Sequence, residues 1–171
     1  MFNNTNASLV NNEVINYIHN NRMKHAKVYE ILLKNEIQDW IQIHYADDLY
    51  PKQLTLLWQY QYNPFDYGNL NNSVLCELKT LRTSTLSNYS YIDLLTYCEY
   101  KAFTDALKKQ PETLCFVFIY FSEDNTLFWA RITTESNLEK ITNAYGKQCY
   151  KINKEDFKEI TLYKNYQLYL S

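Results

Sequence analysis

Asp66, Glu77 and Lys79 carry the chemistry that this sequence offers most directly. Glu77 and Lys79 stand two apart in the short apolar run Ser73 to Lys79, and alternate residues of a strand share a face. Val74, Cys76 and Leu78 can then pack inward while Glu77 and Lys79 project together from the other side. A turn through Gly68-Asn69 and Asn71-Asn72 lets a hairpin bring Asp66 alongside Glu77. Two carboxylates of this kind hold a hard divalent cation, and an ammonium beside them can orient the attacking water. Each residue also has an ordinary structural role: a turn-forming Asp, and a cross-strand ion pair on a wet sheet face.

Other chemistries are set aside by what the chain lacks. Its only glycines are Gly68 and Gly146, so neither a phosphate-cradling loop nor a dinucleotide fingerprint can be built. There is no Gly-x-Ser-x-Gly elbow. His19, His25 and His44 lack metalloprotease spacing and read as surface or interfacial histidines. Cys76, Cys98, Cys115 and Cys149 form no C-x-x-C pair; three lie in apolar runs and read as small buried hydrophobes.

Composition sets the wider bounds. The 171 residues suit a single domain, 1–171, with residues 1–10 flexible and a core over 26–132. Residues 133–171 form a helix and strand extension. Apolar residues at 46% with 21% charged are ordinary for a globular protein. A net charge of −2 leaves no global basic field, so contact with nucleic acid would rely on local patches. Such patches are Arg22, Lys24 and Lys27 with His25, then Lys79 and Arg82, then Lys101, Lys108 and Lys109. The 17 tyrosines have two readings: the bias of an AT-rich coding sequence, such as a phage or mobile element, or a binding surface. No apolar run reaches membrane-spanning length and the polar N-terminus is not a signal peptide, so the expectation is a cytoplasmic protein with no membrane partner.

These residues must be positioned by the elements around them. A short helix is expected over Asn12 to His19 and a long one over Ala26 to Ile43, with Glu30, Lys34 and Gln38 facing away from its apolar stripe. A strand over Leu54 to Tyr62 precedes the Asn63-Pro64 break. A hydroxyl-rich linker, Thr80 to Ser87, leads to a second helix capped by Ser90 with Asp93 and stopped by Pro111. Thr113 to Phe121 reads as a central strand covered on both faces, with Thr126 to Ile132 as its hairpin partner. A short helix over Asn137 to Asn143, a strand over Gln148 to Ile152, an Asn153-capped turn and a closing edge strand through Leu162, Tyr166, Leu168 and Leu170 complete the chain. The order implies an α/β fold, a three-layer α/β/α sandwich around one mixed sheet.

Within that order the sequence resembles the PD-(D/E)xK, or restriction-endonuclease-like, nuclease superfamily. Pro64-Phe65-Asp66 looks like the first half of the motif with one residue inserted, and Glu77-Leu78-Lys79 matches the second half on an apolar strand. Tyr29-Glu30-Ile31-Leu32-Leu33 is similar to the family's first helix, whose Glu offers a further carboxylate. Glu36 and Asp48 are rival third acids. The resemblance covers 26–132 and implies a Mg²⁺- or Mn²⁺-dependent endonuclease acting on DNA. It implies an ion held by Asp66, Glu77, the Leu78 carbonyl and Glu30. Lys79 would orient the water, or accept its proton if local charge depresses the Lys pKa. Arg82, Lys101 and Tyr91 are the expected nucleic-acid contacts, and a homodimer could pair two sites. The reading from another class is a non-catalytic inhibitor of a host protein, which binds through a Tyr-rich surface and keeps at most an inactive nuclease fold.

Overall fold

The computed structural model describes residues 25–45, 53–57, 64–69, 71, 73–81, 84–88, 95–136, 138–143 and 146–169. In chain order the elements are α1 (His25–His44), β1 (Thr55–Leu56), β2 (Tyr67–Gly68), β3 (Val74–Leu81), β4 (Leu95–Thr96) and α2 (Tyr97–Lys109). Then follow β5 (Leu114–Phe121), β6 (Thr126–Ile132), β7 (Glu139–Thr142), β8 (Gln148–Lys151) and β9 (Lys158–Ile160). The chain folds as an α/β protein on a mixed sheet of order β1-β2-β3-β5-β6-β9, beside a small antiparallel sheet of order β4-β8-β7.

β5 is buried at every position, as an unbroken apolar strand requires. Its neighbour β3 runs parallel to it, and the segment carrying α2 makes the crossover that parallel neighbours need. Side-chain alternation then divides the core. Val74, Cys76, Leu78, Phe116 and Phe118 pack with Leu32, Leu33 and Ile37 of α1. Leu75, Cys115, Val117 and Ile119 pack with Phe103 and Leu107 of α2. The sheet is therefore apolar on both sides, and the face of β3 that carries Glu77 and Lys79 is not open to water as the alternation alone suggested.

The β2–β3 hairpin is built for closeness. Asn69 Oδ1 accepts the backbone N–H groups of Asn71 and Ser73, closing the turn. Gly68 lies within β2 rather than in that turn. A Cβ there would sit 2.6 Å from Leu57 Cδ1 and 2.8 Å from the Val74 carbonyl oxygen, so only glycine lets β2 lie against β3.

Several expected boundaries move. The helix cap is Thr96 with Glu99, and α2 begins at Tyr97; Ser90 and Asp93 lie outside the described residues. β3 continues through Thr80 to Leu81 because its partner β5 runs on to Phe121, which shortens the expected linker. Of the expected strand Leu54 to Tyr62, Thr55–Leu56 is extended and 58–62 lies outside the described residues. The helix expected over Asn137 to Asn143 is instead strand β7. Ile141 pairs with Cys149 across an Asn143 to Gly146 turn, where Gly146 takes φ 77°. Asn153 caps its short turn through its carbonyl, which accepts from Asp156 N–H, and not through its side chain. The closing edge strand is β9, with Ile160 turned into the core. Tyr166 lies instead in a 3₁₀ turn, with its ring against Tyr120. The expected helix over Asn12 to His19 lies outside the described residues.

Candidate active site

β2 is only two residues long and pairs with Leu75 and Cys76, so among the described residues β3 runs on past it with one edge uncovered. Continuing that register by one residue sets Asp66 opposite Glu77. Phe65 anchors the approach, buried and with its ring 4.2 Å from that of Phe103. Phe65 is thus the peg that holds Asp66 in place. Asp66 Oδ2 accepts the Leu78 N–H at 2.9 Å, capping the open edge of β3. A strand residue points its N–H and C=O to the same side, so the Leu78 carbonyl faces the same opening.

α1 supplies the next pair. Glu30 lies one turn before Leu33 and two before Ile37, in the stripe that faces the sheet, and is 5% exposed. It does not face away from the apolar stripe as expected, and Gln38 Oε1 accepts the Leu54 N–H. The Lys27 ammonium donates to Glu30 Oε2 at 2.7 Å and to Asp66 Oδ1 at 3.2 Å, joining helix to hairpin. On the other face of β3, Lys79 Nζ is 3.0 Å from Glu77 Oε1 and 3.3 Å from Glu99 Oε1. The cluster wraps the uncovered edge of β3, with Asp66 between its two halves.

Burial decides the electrostatics. It pushes the Glu30 carboxyl up to about 7, the Asp66 charge adding to the rise and Lys27 opposing it. Burial likewise raises Glu77 well above the ordinary carboxylate range against the pull of Lys79, and Asp66 and Glu99 reinforce the rise. For Lys79 burial alone would lower the pKa. The Glu77 and Glu99 carboxylates outweigh it and hold the group above its usual value, so it is not tuned to accept a proton. The same balance, with Glu30 and Asp66, raises Lys27.

Oxygen donors suit a hard cation, and Glu77 Oε2 is buried without a hydrogen-bond partner, as a ligand oxygen held for an ion would be. Among the described residues no group of three or more acidic, His or Cys side chains stands at metal-ligand spacing. Mg²⁺ sites with one or two carboxylates plus substrate phosphate need no such cage. The residues present fit an ion of this class.

The other expected residues fall elsewhere. Glu36 is buried against the C-terminal segment, taking hydrogen bonds from the Tyr166 side chain and the Tyr163 backbone, and is no third acid beside Asp66. Lys101 is exposed on α2. Two residues beyond Glu99, it lies about 200° around the helix and does not join the cluster. His44 stacks on Trp40, and its Nδ1 bonds the Trp40 carbonyl. Arg82, Tyr91 and Asp48 lie outside the described residues. The sequence points to Lys27 only as part of a basic patch and gives Glu99 no role, although both leave signals there. Lys27 is three residues before Glu30 on a helix, and Thr96-x-x-Glu99 is a capping-box spacing.

Comparison with protein-family models, curated proteins and solved structures gives no match to this chain. Among the described residues no helix is long and apolar enough to cross a membrane.

Proposed function

We propose that this protein is a metal-dependent endonuclease of the PD-(D/E)xK type that hydrolyses phosphodiester bonds of DNA, on a restriction-endonuclease-like α/β/α sandwich. One observation supports the reading above the rest. Asp66, Glu77 and Lys79, with Glu30, gather around the edge of β3 that β2 leaves unpaired among the described residues. The division of the core, with α1 on one face of the sheet and α2 on the other, is consistent with the layered architecture.

In this reading Asp66, Glu77 and the Leu78 carbonyl hold Mg²⁺ or Mn²⁺, and Glu30 adds charge to the ion's surroundings. The ion supplies Lewis-acid charge to the phosphate and lowers the pKa of water. Asp66 is oriented for its part by the Leu78 N–H, which fixes one oxygen and leaves the other toward α1. Lys79 remains an ammonium under the combined charge of Glu77 and Glu99. It orients the attacking water and offsets the negative charge that develops on the phosphate, and does not act as a base.

The test is cleavage of plasmid, single-stranded, branched DNA and RNA with and without Mg²⁺, beside Glu77→Ala and Lys79→Ala. Metal-dependent cutting that both variants lose supports the reading. Absence of cleavage on all four substrates, with tight binding to a host protein, replaces it by the inhibitor reading.

A further inference from the structure

Lys27 stands where a cation is needed. Its ammonium bridges Glu30 Oε2 and Asp66 Oδ1, two carboxylates from elements far apart in sequence. The second oxygen of Asp66 is already fixed by the Leu78 N–H. An ion that takes Asp66 Oδ1 and Glu30 Oε2, the two oxygens that face each other across helix and hairpin, would meet the Lys27 ammonium there. The Lys27 side chain is 40% exposed, against 7% for Glu30 and 11% for Asp66. It can swing into water while its partners stay in place. Charge points the same way: Glu30, Asp66, Glu77 and Glu99 are four carboxylates against the two ammonium groups of Lys27 and Lys79. Burial pushes Glu30 and Glu77 toward their neutral forms, and a bound divalent cation would balance the two excess negative charges of the fully ionised cluster. The unpartnered Glu77 Oε2 on the other side of Asp66 shows that the two ammonium groups leave the cluster's hydrogen bonding incomplete.

We propose that Lys27 is a tethered counter-ion that holds Glu30 and Asp66 together in the metal-free protein and is displaced when a divalent cation binds. The inference rests on the metal-site reading above and adds a device to it. The same lysine that keeps two buried carboxylates from repelling each other also sets the concentration of metal at which the site fills. Removing the ammonium takes away the competitor, so the carboxylates bind the ion more tightly even as the metal-free protein loses a stabilising bridge.

Mn²⁺ binding by calorimetry, without nucleic acid, tests this on the full chain. Lys27→Met keeps the length and apolar stem and removes the charge. It is expected to bind Mn²⁺ about tenfold more tightly than the unsubstituted protein, whereas Lys27→Arg, which restores the charge, binds no more tightly. A readout on the unsubstituted protein guards against a misfolded variant: acetylation of Lys27, followed by mass spectrometry, should quicken when Mn²⁺ is added. Equal or weaker Mn²⁺ binding by folded Lys27→Met, or acetylation that is unchanged or slowed by the metal, overturns the displacement while leaving the metal site standing. If the unsubstituted protein and Lys27→Met both fail to bind Mn²⁺, the metal-site reading and this inference fall together.

Discussion

Glu99 holds Lys79 with one carboxylate oxygen and the start of α2 with the other: Oε1 is 3.3 Å from the ammonium, and Oε2 accepts the Thr96 N–H at 2.6 Å. One side chain thus couples the first turn of a helix to the candidate catalytic lysine. Glu99→Gln keeps a group that can reach the Thr96 N–H and should melt close to the unsubstituted protein. Glu99→Ala should lose about 1 kcal/mol from the cap. On the proposed nuclease reading both should lower DNA cleavage, because Lys79 loses one of its two anchors. Thermal melts beside cleavage rates separate the two effects, and equal rates in both variants and the parent would show that Glu99 serves the helix alone.

Phe65 tests whether the apolar core positions the acid. Its ring packs on Phe103 beneath the α2 face of the sheet. Phe65→Ala should cost about 3–5 kcal/mol of stability by opening a cavity. It should also slow cleavage at temperatures where the protein remains folded, because Asp66 loses its peg. Phe103→Ala should destabilise comparably but disturb cleavage less. Denaturant unfolding with activity measured well below the transition distinguishes them.

Glu36 gives a dependence on pH that is independent of catalysis. Burial raises its pKa in the folded protein, opposed by the hydrogen bonds from Tyr166 and Tyr163. A carboxyl with a raised folded-state pKa favours folding in its neutral form. That contribution is whole below the ordinary carboxylate range and is lost as pH climbs through the raised value. Glu36→Gln should therefore gain stability relative to the parent between about pH 4 and about pH 8. Urea midpoints at the two pH values check this, and a gap that stays constant or narrows as pH rises contradicts it.

The cysteines offer a check on the core. Cys98 is exposed, while Cys76, Cys115 and Cys149 are buried, and burial pushes the Cys115 thiol up to about 12. An aromatic disulfide reagent should label Cys98 rapidly in the native protein, and the other three only on unfolding. Fast reaction of Cys115 would contradict its place between sheet and α2.

Much of the frame lay in local pattern. The uninterrupted apolar run at 114–121 can be satisfied only by cover on both faces, and the alternation of Val74, Cys76 and Leu78 sets those side chains toward one layer. The spacing of Asp66, Glu77 and Lys79 across a turn was enough to put the first two opposite each other, because pairing in a hairpin is a matter of register. Short polar segments carried no such constraint. Glu139–Thr142 became a strand because it pairs across a short turn with Gln148–Lys151, and Tyr166 turned inward rather than along an edge because its ring meets Tyr120, far away in sequence.

The sequence by itself determined which groups could act and that a hairpin would join two of them. Tertiary structure alone decided their state. It buried Glu77 and Glu30, brought Glu99 and Lys27 to them from two helices, and so set Lys79 as a fixed cation. Spacing along a chain governs neighbours, whereas desolvation and the charges of distant elements depend on what packs over the site, and no local pattern encodes that.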